Sequence, residues 1–166
     1  MTDIQFGLMT RGQFEADDDI RVRFTELMEQ ARTADKLGFA SLTKGSHYSG
    51  YPLQDFQQIP YLSRVMAEAP NLRLNAGIVL LSLHKPQDTA EQFATMDVMS
   101  NGRIIFGAAL GYREVEFKAF GTTQKERVQR FEENLVAIKR LWTEEKVSMV
   151  GSHFELMDAS CPTKPL

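Results

Sequence analysis

The residues of this chain that could do chemistry are few, and most fall just after a stretch that reads as a strand. There are three histidines, His47, His84 and His153. An imidazole titrates near neutrality, so His47, placed after the second strand, is a candidate proton donor or acceptor. The alternative is an ordinary exposed loop histidine. His84 follows the third strand and reads as a loop or packing residue, and His153 as a surface residue of a hairpin. No two histidines stand at metal-ligand spacing with a carboxylate, so no metal site is expected. Cys161 lies in no nucleophile motif and reads as structural.

A second candidate is the run Gly107, Ala108, Ala109, Leu110, Gly111, Tyr112, Arg113. Small residues at a strand end let a flat ligand or a phosphate come close to the backbone. Arg113 begins a helix, where free N–H groups favour an anion. The same small residues could equally fill a narrow barrel interior. The run is neither a dinucleotide fingerprint nor a P-loop. Arg127 and Arg130 open a long helix and could bind phosphate, or simply line a solvated face.

These residues need elements to position them. Residues 4–9 alternate Ile4, Phe6, Leu8 and read as a strand. A polar loop over 12–19 and a helix over 20–37 follow, with Phe24, Leu27, Met28, Ala31 and Ala34 on one face and Gly38 as its stop. Residues 39–43 form the next strand, followed by a long loop to about residue 55 of the kind usually tied to function. A helix over 58–69 and a strand over 72–81 come next. The strand's apolar second half suits a parallel sheet covered on both faces. Pro86 opens a helix stopped by Asn101 and Gly102. A strand over 104–110 leads to helices over 113–120 and 124–142. The last has a stripe of Val128, Phe131, Leu135, Ile138 and Trp142, and residues 123–126 read as its capping box. The tail, 147–150 and 154–156, reads as a small hairpin.

Alternating strands and helices imply parallel strands with helical crossovers. Either a doubly wound sheet or a (β/α)8 barrel would satisfy this, and in both the ligand sits at the carboxyl ends of the strands. A barrel needs roughly 250 residues, so four β/α units make half of one. The 166 residues are 43% hydrophobic and 25% charged, ordinary for a globular chain. The net charge of −3 argues against nucleic acid as a partner. No apolar run is long enough to span a membrane and no leader is visible; Cys161, alone, cannot form an internal disulfide, so a reducing cytoplasm is the expected home.

Four stretches resemble the bacterial luciferase-like flavin-dependent monooxygenase family in order and spacing. They are ARTADKLGF (31–39), LNAGIVLLSLHKP (74–86), AEQFATMDVMSNGRIIFG (90–107) and LGYREVEFKAFG (110–121). The tail GSHFELMDA is similar too, so the likeness covers nearly the whole chain. The resemblance implies a luciferase-like (β/α)8 TIM barrel, residues 1–166 being the N-terminal half of its single domain. It implies reduced FMN as cofactor, or a deazaflavin in related reductases. O2 and a small organic substrate of the aldehyde, alkane or ketone class would be the other reactants. A separate flavin reductase and a homodimer are the implied partners.

By position, His47 matches the family's active-site histidine. Gly77 and Ile78 match the place of a non-proline cis peptide that supports the flavin ring. Ala109, Leu110, Gly111 and Tyr112 match the strand end beside the flavin, and Arg127 approximates a phosphate-binding arginine. Ser46 stands where an acid often precedes the histidine, Lys85 where the family has His before the proline, and Ala109 where true luciferases have a reactive cysteine. Light emission is therefore not implied. A half-barrel would leave two sheet edges unpaired. The expected explanation is a longer protein; paired half-barrels, or a non-catalytic flavin-binding or partner subunit, are the alternatives.

Overall fold

The computed structural model describes residues 4–166. Its elements, in chain order, are β1 (Gly7–Met9), β2 (Gln13–Phe14), α1 (Ile20–Lys36), β3 (Ser41–Lys44), β4 (Gln54–Asp55), α2 (Gln58–Glu68), β5 (Arg73–Leu80), α3 (Pro86–Ser100), β6 (Ile104–Ala109), α4 (Glu114–Ala119), α5 (Arg127–Thr143), β7 (Val147–Val150) and β8 (Glu155–Ala159). A single 3-10 turn, Leu81–Leu83, follows β5. Two compact units result, one from the residues through Val79 with Arg103–Gly107, the other from Leu80–Gly102 with Ala108–Leu166.

The first unit is built on a sheet in the order β1-β3-β5-β6. β1 and β3 run parallel with Leu8 opposite Leu42, and β3 and β5 run parallel with Leu42 opposite Leu74. Leu42, Leu74 and Ala76 are fully buried, as the apolar centre of a covered parallel sheet requires. Helix α1 buries Leu27, Met28, Ala31 and Ala34, and the side chain of Asp19 caps it by accepting from Arg21 N. Gly38, at φ +76°, ends it in the left-handed conformation that glycine adopts without penalty. The carboxylate of Asp35 then accepts from the backbone N–H groups of Asn71 and Leu72, fixing the entry to β5.

In this unit the expected strand over 4–9 is shorter. Ile4 and Phe6 are 82% and 69% exposed and precede β1, so among the described residues only Leu8 of that alternation lies in the strand. The stretch over 12–19 is not all loop. Gln13 and Phe14 pair antiparallel with Asp55 and Gln54. That second, two-stranded sheet is held by Gln54 Nε2, which donates to the carbonyls of Glu15 and Asp18. Two residues per strand are too few to leave a period in the sequence.

The second unit packs α3 and α5 together, with α5 also against the 3-10 turn. Pro86 starts α3, and Asn101 (φ 59°) with Gly102 (φ 74°) ends it. Strands β7 and β8 form the antiparallel hairpin. Helix α5 differs from expectation in two ways. It opens at Arg127, and Glu126 Oε2 accepts from Thr122 Oγ1, so residues 123–126 are a turn rather than a capping box. Its buried face is Arg130, Asn134, Ala137, Ile138 and Leu141, whereas Val128 and Leu135 are exposed. The spacing is still helical, but the first half of the buried stripe is polar, because what it meets is backbone carbonyls rather than side chains.

Candidate functional site

In the first unit the carboxyl ends of β1, β3 and β5 lie side by side. Thr10 continues β1, with its backbone N–H 3.1 Å from the Thr43 carbonyl oxygen. Beyond β3 comes the segment Lys44, Gly45, Ser46, His47, the last half-buried. Lys44 pairs in register with Ala76, so Gly77 stands beside Gly45; a Cβ on Gly45 would lie 3.9 Å from the Gly77 carbonyl oxygen. The Gly77–Ile78 peptide bond is cis, as the resemblance implied. Ile78 is 40% exposed at this rim.

The rim is fastened from α2. Gln58 is buried and donates from Nε2 to the Lys44 carbonyl at 2.6 Å and to the Ile78 carbonyl at 3.5 Å. Gln57 Nε2 donates to the His47 carbonyl at 3.1 Å. Beneath lies an ion pair that the sequence reading missed. Lys44 Nζ, fully buried, sits 2.7 Å from Asp55 Oδ1. Burial pushes the Asp55 carboxyl up, against the opposing pull of Lys44 and a smaller one from His47. The available sign was a lysine ending an apolar strand, which reads as solvated until a partner from the next small sheet is seen.

The glycines here are explained by packing. A Cβ on Gly77 would come within 2.8 Å of Thr43 Cγ2, and one on Gly107 within 2.9 Å of the Ala76 carbonyl oxygen. At Gly107 the backbone of the neighbouring strand leaves no room for a side chain.

In the second unit, Leu110 and Gly111 follow β6. The Leu110 carbonyl accepts from Ser82 Oγ at 2.6 Å. Gly111 has φ +75°, and Tyr112 is 68% exposed with its carbonyl taking a bond from Gln124 Nε2. Arg127, half-buried at the start of α5, has no ion-pair or hydrogen-bond partner for its guanidinium among the described residues. Arg130 is not on a solvated face. It is 8% exposed, and its Nε donates to the Ser82 carbonyl.

Nor is His153 a surface residue. Its side chain is 7% exposed, with Nδ1 3.6 Å from Glu133 Oε2. The hairpin turn folds back onto α5 because Ser152 donates from both N and Oγ to that oxygen. Burial pulls the His153 imidazole below its usual value, helped by the positive charges of Arg130 and Lys85. His84 is lowered by burial too, its ring edge-on to Phe120. Cys161 is buried, with Sγ against the Thr163 carbonyl. Among the described residues no cluster of His, Cys, Asp or Glu could hold a metal, and no helix is long and apolar enough to cross a membrane.

Comparison with known proteins places this geometry. The chain is 28% identical over 98% of its length to limonene 1,2-monooxygenase of Rhodococcus erythropolis, covering 42% of that protein. It is 28% identical over 82% of its length to the FMNH(2)-dependent dimethylsulfone monooxygenase of Pseudomonas putida, covering 39% of it. The F420-dependent glucose-6-phosphate dehydrogenase of Amycolatopsis mediterranei is 26% identical over 84% of this chain and 44% of its own. The crystal structure of monooxygenase RslO1 from Streptomyces bottropensis superposes with a TM-score of 0.86 at 27% identity, over 98% of this chain and 50% of that one. The chain thus spans half or less of the length of these relatives. Its fold is α/β with a parallel sheet, a partial (β/α)8 barrel of the luciferase-like type. The family model for luciferase-like monooxygenases matches residues 4–166, and the chain belongs to that family.

Proposed function

We propose that residues 1–166 are the N-terminal half of a single barrel domain that uses reduced FMN and O2 to oxidise a small organic substrate of the aldehyde, alkane or ketone class. The observation that carries this reading is His47 at the carboxyl end of β3, on a rim tied to the Gly77–Ile78 peptide by Gln58, in a chain matched by the luciferase-like model almost throughout.

The residues fit a flavin. Ile78 offers exposed apolar surface in the first unit, and in the second Arg127 is a cation without a partner among the described residues. Gly77 and Ile78 would support the ring. In the second unit, the resemblance assigns Ala109, Leu110, Gly111 and Tyr112 to the flavin and Arg127 to its phosphate. When bound, reduced FMN supplies the two electrons that let one oxygen atom of O2 enter the substrate while the other leaves as water. His47 holds or moves the proton that this exchange requires. Cytoplasmic location, a homodimer and a separate reductase supplying the reduced flavin belong to the same reading.

A second reading has its own support. The F420-dependent relative favours hydride transfer to or from a deazaflavin, with oxygen playing no part. Titrating full-length protein with reduced FMN and with reduced F420, while following O2 uptake over a substrate panel, separates the two. Binding of FMN with substrate-dependent O2 consumption supports the first reading. Binding of F420 alone supports the second, and binding of neither removes both.

A further inference from the structure

The Lys44–Asp55 pair has no part in the proton transfer assigned to His47 above. Taking both charges out of water is expensive, and a buried pair is weak evidence for stability. What the pair does produce is a carboxylate with a fixed position. Its Oδ1 is held by Lys44 Nζ at 2.7 Å, and Lys44 Nζ also donates to the Gly45 carbonyl at 3.2 Å. Its Oδ2 is buried with no hydrogen-bond partner among the described residues, on a side chain 7% exposed. Leaving a buried acceptor unmade is costly, so an oxygen of this kind calls for a donor.

The surroundings show which donor. The segment carrying Asp55 continues into Gln57 and Gln58, and these bind the carbonyls of His47 and Lys44. The two segments are therefore fastened at two backbone points beside the pair. His47 is close enough to contribute a small downward pull on the Asp55 carboxyl, against the larger upward push of burial. On the other side, the Gly12 backbone is close enough that a Cβ there would lie 3.7 Å from Lys44 Nζ and 3.9 Å from both Asp55 oxygens. The His47 side chain, carried on the segment tied to Gln57, is the titratable side-chain donor this arrangement offers.

We propose that Asp55, with one oxygen held by Lys44, is the positioning residue for His47: its second oxygen accepts the imidazole N–H and fixes one tautomer and one ring orientation. A neutral imidazole carries its proton on one of two nitrogens, and the acceptor beside it decides which. A carboxylate in that role leaves the other nitrogen as an acceptor facing the reactants. Lys44 keeps the carboxylate charged and stops it from rotating. The inference rests on the assignment of His47 made above, but its primary test does not depend on turnover.

That test reads the imidazole nitrogen shifts of His47 by NMR in full-length protein under alkaline conditions, with the signal assigned by its loss in His47→Ala. Wild type should give the signature of one tautomer, and Asp55→Ala should lose it. Because Asp55→Ala strands the Lys44 charge and could unfold, the double variant Lys44→Met/Asp55→Leu, which leaves no buried charge, is measured as well. It should also lose the single tautomer while keeping its circular dichroism. A tautomer mixture in wild type overturns the proposal, as does a single tautomer that persists in the folded double variant. Turnover is a separate readout, expected to fall roughly 10- to 100-fold in the double variant. Unchanged turnover in His47→Ala would remove the catalytic reading of His47 and leave the tautomer result standing.

Discussion

Arg130 Nε donates to the carbonyl oxygen of Ser82 at 2.7 Å, across 48 residues of sequence. One turn further along α5, Asn134 Nδ2 donates to the carbonyls of Leu81 and His84, at 2.8 and 3.0 Å. Two carbonyls of the 3-10 turn after β5, those of Leu81 and Ser82, thus accept from side chains of a helix. Replacing Asn134 by leucine keeps the volume and removes the side-chain donor from both carbonyls, although Leu81 still accepts from the His84 backbone N–H. We expect a loss of roughly 1–3 kcal/mol of stability, the cost of about one stranded acceptor. Urea unfolding of Asn134→Leu against wild type measures it, and an unchanged midpoint would show that the turn does not depend on α5.

Two glycines offer a test of packing against raw distance. A Cβ at Gly7 would lie 2.6 Å from Ser41 Oγ, and one at Gly107 2.9 Å from the Ala76 carbonyl oxygen. The shorter contact is with a hydroxyl that can rotate away, the longer with sheet backbone that cannot. Gly107→Ala should therefore cost about 1–3 kcal/mol as an overpacking substitution, and Gly7→Ala distinctly less. Thermal melts of the two variants in parallel give the order, and the reverse order would refute the argument.

Asp19 caps α1, and its bonds to the side chain and then the backbone of Arg21 hold its carboxyl down at about 2, from 3.8. A carboxyl lowered in the folded state adds stability that is present above its unfolded value and lost as pH falls through the folded one. The window is therefore pH 3.8 down to about 2. Asparagine caps as well as aspartate but carries no charge. Asp19→Asn should be less stable than wild type near neutrality, and the gap should close across that window. A gap that stays constant with pH would place the effect elsewhere.

His84 and His153 are both pulled below 6.5, chiefly by burial. A histidine lowered in the folded state contributes stability that is full above its unfolded value and declines as pH falls through the folded one. Wild type should therefore lose stability as the medium is acidified below pH 6.5. His84→Gln and His153→Gln should each flatten that decline, and the double substitution should flatten it further. Denaturant midpoints taken at intervals of pH provide the check, and identical slopes in all four proteins would contradict it.

What the sequence by itself determined is everything that leaves a local or periodic trace. The alternation of strands and helices is one such trace, as are the stops at Gly38 and at Asn101 with Gly102. The family stretches such as ARTADKLGF and the place of His47 after a strand belong with them. Each depends on neighbours a few residues apart, where the chain's own geometry dictates the pattern. The tertiary structure decided which polar groups are buried and what they meet. Lys44 and Asp55 are brought together by a sheet of two-residue strands, Arg130 and Asn134 turn inward to the 3-10 turn, and His153 is covered by the hairpin folding onto Glu133. Read along the chain, a charged residue at a strand end or on a helix looks solvated. Only a partner from a distant segment makes its burial affordable, and no periodicity carries that information.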